Sequence, residues 1–265
     1  MIDLEFSAAT YNVLADAYVR PDRYPLSPPA ALVPGPRRQL LLARITALDV
    51  DLLCLQEVEA SAHVAIAARL GDAWLALYAA RPRRPDGASL FIRRERFTLV
   101  DHETLHYRSP GSDNQLALIA KLRLGPHALR VACTHLQWCR DDTPAAAHTG
   151  RAQLLELVDH LDNLDHPDTP ERSDTIIAGD LNATSQSPVI LAARERGLAL
   201  GAATQRPWDT CNANRRPRKL DYLLHTPGLA PRPHPLPALQ RDTPMPSLTE
   251  PSDHLPLRVD FTLVR

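Results

Sequence analysis

TIIAGDLNATSQSP, residues 175–188, poses the question on which the fold turns. Thr175-Ile176-Ile177-Ala178 reads as a short buried strand, β-branched and bounded by Ser173-Asp174 before it and a polar loop after it. The run ends in Gly179-Asp180-Leu181-Asn182. Alternation along a strand puts the side chains of Asp180 and Asn182 on one face. Oxygen-bearing groups at the mouth of a buried strand are costly unless something binds them. Two readings stand side by side: the strand end caps its own loop, as Asp and Asn often do, or the pair holds a ligand.

The same pattern recurs along the chain. Ala8-Ala9-Thr10-Tyr11 leads to Asn12, Leu52-Leu53-Cys54-Leu55 to Gln56-Glu57, and Val131-Ala132-Cys133 to Thr134-His135. Leu220 leads to Asp221, and Ser252 to Asp253-His254 just before a final strand. Singly, each has an ordinary explanation as a surface acid, a turn or a satisfied edge residue. Together they follow one strand-then-polar rule, and in layered α/β folds ligand sites collect at strand ends. Glu57, Asp180 and Asp253 are hard oxygen donors, Asn12 and Asn182 neutral ones, and His135 and His254 can donate to phosphate or exchange a proton. The set suits Mg²⁺ or Mn²⁺ rather than structural zinc, which favours sulfur and more histidine. It points to phosphoester hydrolysis, with a cation neutralising phosphate and a carboxylate or histidine readying water.

Bulk composition narrows the classes. The chain has 265 residues, 44% hydrophobic and 23% charged, as in an ordinary globular protein. Its formal net charge of −1 provides no global basic field for nucleic acid. Nearly all its basic residues are arginine, Lys121 and Lys219 being the lysines, so a given Arg is weak evidence for phosphate binding. Cys54, Cys133, Cys139 and Cys211 show no CxxC spacing, which argues against structural zinc and a disulfide framework. The first residues lack a basic leader, and no apolar stretch approaches the roughly 20 residues of a membrane span. A cytoplasmic monomer is expected, with no membrane association.

Strand-like runs fall at 5–13, 51–56, 88–93, 116–122, 129–134, 175–179, 220–224 and 257–263. Helical periodicity marks 37–48 and 150–161. Residues 61–70 start at a Ser61 cap and stop at Gly71. Ser187, Pro188 and Gly197 bracket another helix over 188–196. The Pro-rich stretches 21–36 and 227–246 read as surface loops within one domain spanning 1–265. Runs 88–93 and 97–101 read as a hairpin, and the whole as α/β layers with a partly antiparallel sheet.

Eight stretches carry a resemblance: TYNVLADAY (10–18), DVDLLCLQEVE (49–59), DGASLF (86–91), THLQW (134–138), GRAQLLEL (150–157), AGDLNATSQSPVI (178–190), LDYLL (220–224) and PSDHLPL (251–257). In this order they resemble the exonuclease–endonuclease–phosphatase superfamily, in its deadenylase/nocturnin/Angel-like branch. The resemblance implies a four-layer α/β sandwich, two mixed β-sheets packed face to face with helices outside. It makes Glu57 the principal metal ligand, with Asn12 beside it and Asp253 ligating or supporting a metal. Asp180 would orient or deprotonate water, Asn182 contact phosphate or metal, and His135 hold the scissile phosphate. His254 would bind phosphate or move a proton, with Asp221 holding its ring. Arg151 stands where the family often carries a basic helix start, a possible phosphate contact or one more surface Arg.

The branch often sandwiches a terminal adenine between a Pro and an aromatic residue. Neither CRDDTPAAAHTG (139–150) nor WDTCNANRRPRK (208–219) matches that pair. Trp138, Pro144 or Trp208 could stack on a base or simply pack. The leading functional expectation is a Mg²⁺-dependent phosphodiesterase acting on RNA 3′ ends, a deadenylase-like 3′-5′ exoribonuclease unaided by a fused delivery module. The alternatives are an RNA 2′,3′-cyclic phosphatase or a small-nucleotide phosphatase. A binding module on a decayed nuclease fold ranks last, since every required group is present. The Arg runs 81–84, 93–94 and 215–219 follow a nucleic-acid backbone or form solvated loops.

Overall fold

The computed structural model describes residues 5–112, 114–164, 173–202 and 208–264. One sheet contains β1 (Glu5–Asn12), β2 (Leu52–Glu59), β3 (Trp74–Ala80) and β4 (Asp86–Arg93), with β11 (Leu229–Pro233) and β12 (Leu257–Leu263) added from the far end of the chain. Its strand order is β11-β12-β1-β2-β4-β3. The other contains β5 (Thr98–His106), β6 (Leu116–Leu124), β7 (His127–His135), β8 (Asp174–Asp180), β9 (Ala199–Leu200) and β10 (Asp221–His225), in the order β5-β6-β7-β8-β10-β9. The two sheets face each other across a core that includes Phe6, Leu52, Leu90, Leu118, Ile176 and Phe261.

Each sheet has one parallel pair at its centre, β1 with β2 and β7 with β8. Parallel strands need a crossover, and helices supply both. α1 (Pro34–Ala47) joins the first pair and, with α2 (Ala60–Leu70), covers the outer face of its sheet through Leu41, Ile45, Ala62 and Ile66. α3 (Thr149–Asn163) joins the second pair and, with α4 (Pro188–Glu195), covers the other sheet through Leu154, Leu157, Val189 and Ile190. The result is the expected four-layer α/β sandwich.

Helix boundaries follow local chemistry. Ser187 Oγ accepts from the Val189 amide, Pro188 opens α4, and Gly197 sits past its end at φ 78°. Gly71, at φ 74°, closes α2. Ser61, however, lies inside α2; Glu59 precedes the helix, and the Ser61 hydroxyl instead accepts from Arg38.

Three expectations change. Runs 88–93 and 97–101 are no hairpin: β4 and β5 belong to different sheets. Between them Phe97 is buried in the inter-sheet core, edge-on to Phe6 at 5.5 Å, which redirects the chain across the sandwich. The Pro-rich stretch 227–246 contains strand β11, which pairs with β12 alone. Pro231 and Pro233 are tolerated there because an edge strand has one side free of ladder bonds. In 21–36, Pro34 opens α1, so the helix starts three residues before the periodic run.

Candidate active site

Topology gathers the polar strand ends on one rim. β1, β2, β7 and β8 bring Asn12, Glu57, His135 and Asp180 at or near their C-terminal ends. β10 runs antiparallel to β8, so its first residue, Asp221, pairs directly with Asp180. β12 runs antiparallel to β1, and the Ser252-Asp253-His254 segment that precedes it arrives at the Asn12 end. Gly179 lets β8 approach β7 here: a Cβ would lie 1.8 Å from the Thr134 carbonyl oxygen.

Asp180 is the hub. Its Oδ1 accepts from the Asn182 amide at 2.9 Å, and its Oδ2 accepts from Asn12 Nδ2 at 3.1 Å. Oδ2 also faces His135 Nε2 at 3.5 Å and His254 Nε2 at 3.6 Å. One oxygen thus closes the local loop, as the first reading of the opening stretch expects, while the other faces the cluster. Asn182 does not converge by strand alternation, because β8 ends at Asp180 and Asn182 takes φ 50°. A local turn closed by Asp180 brings its amide onto His135 Nε2 at 2.9 Å and the Leu136 carbonyl at 3.0 Å. An amide nitrogen can only donate, so Nε2 accepts and the ring proton sits on Nδ1. Buried Nδ1 has no hydrogen-bond partner and faces Glu57 Oε1 at 4.0 Å.

Glu57 emerges from a register shift between Leu55 and Val58, at φ 56°. Such left-handed backbone at a residue with a side chain stores strain, a habit of functional sites. Its Oε1 accepts from the same Asn12 nitrogen that serves Asp180, at 3.1 Å. Burial first, and the nearby Asp253 charge, raise the Glu57 carboxyl above its usual range; His135 and Asn12 pull the other way.

His254 Nδ1 and Asp221 Oδ2 are 2.8 Å apart, both side chains buried. Burial opposes a charged His254, but Asp221, the Cys211 thiol and Asp180 outweigh it and hold the imidazole well above its ordinary value. Asp253 accepts from the Tyr24 hydroxyl at 3.3 Å; burial and then the Asp253 charge keep that phenol protonated.

The donor set fits a divalent cation. Two carboxylates, Glu57 and Asp180, converge on one amide nitrogen. Among the described residues, no Lys or Arg forms an ion pair with Glu57, Asp180 or Asp253. Asp180, Asp221 and His254 form a tighter acid–imidazole group. However, the Asp221–His254 hydrogen bond makes that group better suited to moving a proton than to holding a hard ion. The carboxylate corner of Glu57 and Asp180 suits Mg²⁺ or Mn²⁺. Asn12, expected as a ligand, instead turns its Nδ2 toward both acids while its Oδ1 accepts the Leu14 amide at 3.1 Å.

Residues that the sequence reading overlooked support this cluster. Ser252 Oγ donates to the Asn12 carbonyl and accepts the His254 amide. Thr210 Oγ1 accepts the Asp221 amide. Arg37 is buried, pairs with Asp16 and donates to the Val13 and Pro251 carbonyls, tying the segment before His254 to β1. Its abundance-masked signal was its place on the apolar face of α1, beside Leu41.

Other expected residues lie apart. Arg151 lines a cleft of about 930 Å³ between β5 and α3, with His106, Arg108 and Glu156, and makes no hydrogen bond to the acid–imidazole cluster. Half-buried Trp208 packs against the inter-sheet core, with less surface than Trp138 to stack on a base. Trp138, 51% exposed and three residues past His135, is free to do so. Pro144 is exposed at the start of the Ala145–Ala147 turn, which borders the Arg151 cleft. Arg81 and Arg93 are engaged by Asp86 and by Asp49 and Asp51, leaving Arg83, Arg84, Arg215 and Arg216 exposed.

A family model described as the Endonuclease/Exonuclease/phosphatase family matches residues 9–254. The chain belongs to the endonuclease/exonuclease/phosphatase family. It is 28% identical to nocturnin of Xenopus laevis over 289 residues, covering 97% of this chain and 72% of that one. It is also 28% identical over 223 residues to the CCR4-Not complex 3'-5'-exoribonuclease subunit Ccr4 of Saccharomyces cerevisiae. That match covers 69% of this chain and spans about a quarter of the subunit's length, 26%. The fold superposes on ANGEL2, described as a 2',3'-cyclic phosphatase, with a TM-score of 0.83 at 20% identity, covering 99% of this chain and 97% of the other. The family and its deadenylase/nocturnin/Angel-like branch are those the motifs implied.

Proposed function

We infer that this enzyme hydrolyses phosphodiesters at RNA 3′ ends, by exonucleolytic release of nucleotides from a 3′ hydroxyl. The observation that carries this reading is the convergence of Glu57, Asn12, His135, Asp180 and His254 from five separated segments on Asp180 Oδ2 and the Asn12 amide. Similarity to nocturnin and to the Ccr4 exoribonuclease subunit supports RNA as the substrate class.

Glu57 would hold the divalent cation, with Asp253 beside it, and the Asn12 Nδ2 would orient the Glu57 and Asp180 carboxylates around it. When bound, that cation neutralises phosphate charge and favours attack by water. Asp180 Oδ2 accepts a proton from the attacking water, its other oxygen being fixed by the Asn182 amide. His135 Nδ1–H donates to a phosphate oxygen, as its lack of a protein partner allows. His254, oriented and kept charged by Asp221, stabilises the developing negative charge and can pass a proton on. Trp138 supplies a single stacking surface for the terminal base.

A second reading, opening of a terminal 2′,3′-cyclic phosphate, draws on the ANGEL2 likeness and on the lone stacking residue, which suits a short contact with RNA. Both reactions are attacks on a phosphodiester by the same groups. End-labelled RNA with a 3′ hydroxyl and the same RNA with a cyclic phosphate, each incubated with enzyme and Mg²⁺, separate them. A shortening ladder supports the first reading; cyclic-end opening at constant length supports the second. Both substrates emerging intact across a wide pH range would end both.

A further inference from the structure

Cys211 is a buried thiol that the reaction does not use. The segment around it pairs with the one carrying His254: Cys211 bridges to His254, the Asn212 amide donates to the Asp253 carbonyl at 3.0 Å, and the Leu255 amide to the Thr210 carbonyl at 2.6 Å. This short antiparallel ladder fixes the thiol opposite the imidazole. One ligand atom each from Cys211, Asp253 and His254 lie within 4.8 Å of one another. All three are steadied by neighbours, Cys211 Sγ by the Ala213 amide at 3.3 Å, Asp253 by the Tyr24 hydroxyl and His254 by Asp221. A carboxylate behind a histidine is the usual outer support of a metal-binding imidazole.

We propose that Cys211, Asp253 and His254 form a second cation site, selective for a thiophilic ion such as Zn²⁺ or Cd²⁺, whose occupation switches the enzyme off. Sulfur, nitrogen and one carboxylate make a set that Mg²⁺ disfavours and Zn²⁺ favours. Zinc ligands stand about 2.0–2.3 Å from the ion, so the three side chains need draw together by only about 1 Å, leaving a fourth position for water. Ligation would withdraw Asp253 and His254 from the reacting phosphate; the inhibitory consequence therefore rests on the function proposed above.

The test uses the full chain carrying Cys139→Ser, which removes the partly exposed thiol, with and without Cys211→Ser. Cd²⁺ titration reads the ultraviolet thiolate-to-metal charge-transfer band, independently of turnover. Zn²⁺ titration reads Mg²⁺-supported hydrolysis, each protein against its own uninhibited rate. The expected result is a band saturating at one ion per chain, abolished by Cys211→Ser, and a Zn²⁺ concentration for half-inhibition raised about tenfold or more by the same change. Cys211→Ala serves as a second variant should the serine protein fail to fold. Absence of the band in the Cys211-containing protein, or equal Zn²⁺ sensitivity with and without the thiol, overturns the proposal. A band without any turnover supports the metal site and refutes the catalytic reading alone.

Discussion

The two sheets share one wiring, a central parallel pair joined by an outer helix and flanked by antiparallel strands, yet their rims carry different side chains. The β1–β2 rim offers the Glu57 carboxylate and the Asn12 amide nitrogen that orients it, both facing the neighbouring sheet. The β7–β8–β10 rim offers an imidazole and two carboxylates, His135, Asp180 and Asp221. Asp253 and His254, which lead into β12, cross between them, since His254 rides on the first sheet's chain and bonds to the second sheet's Asp221. On the function proposed above, the two sides would divide the labour, one holding a cation and the other handling protons and phosphate. Both sides force a residue into left-handed backbone at the rim, Glu57 and Asn182, to aim it inward.

This division can be broken from either side. Asp180→Ala, at the hub, is expected to cut turnover about 10³-fold or more while preserving the fold, because it removes the water-activating oxygen. Steady-state rates with a circular-dichroism check measure it; activity near the parent's would dissolve the proton-handling role of the second sheet. Glu57→Gln should cost about 10²-fold, and the loss should shrink as Mg²⁺ is raised, which a carboxylate used only for proton transfer would not do.

The two halves also bury cations differently. Arg37, under the first sheet, has Asp16 as a partner, whereas Lys219, beside the second, gives its Nζ to the Ala202 carbonyl at 2.7 Å. Burial lowers the Lys219 pKa from 10.5 to about 8, partly opposed by Asp221. Between those values the unfolded chain binds the extra proton, so stability should rise with pH from about 8 to 10.5. The rise is at most about 3 kcal/mol. Denaturant melts across this range should lose most of that slope in Lys219→Met; an unchanged slope would remove the lysine as its source.

Asp221→Asn should lower turnover about 10- to 100-fold, since it loosens the ring of His254 without removing it. A comparable effect on cation affinity would blur the proposed division. Trp138→Ala is expected to have the smallest effect, raising KM about fivefold through roughly 1 kcal/mol of lost stacking, with kcat little changed. A fall in kcat instead would mean that the residue shapes the rim.

Much of the cluster was legible because its members end strands, and strand ends can be read locally: Ile177-Ala178 before Asp180 and Leu53-Cys54-Leu55 before Glu57 announce both strand and mouth. The misreadings share a different cause. Runs 88–93 and 97–101 look like neighbours in the chain, but the destination of Phe97 is decided by a core built from both sheets. Trp208 and Arg151 each carried two readings in the sequence, and only packing places the first against the core and the second in a separate cleft. Cys211 has no other cysteine near it in the chain, and its neighbours in space, Asp253 and His254, are 42 and 43 residues away in sequence.

The sequence by itself determined which segments become buried strands and that each ends in a group able to bind a cation or phosphate, because β-branched runs and polar terminators act over a few residues. Only the tertiary structure decided that these ends meet. Strand direction brings Asp221, at the start of a strand, beside Asp180, at the end of another, and no local pattern encodes direction. It also decided which of two like residues stands exposed, Trp138, and which packs, Trp208, because that choice is settled by what the opposite layer leaves uncovered.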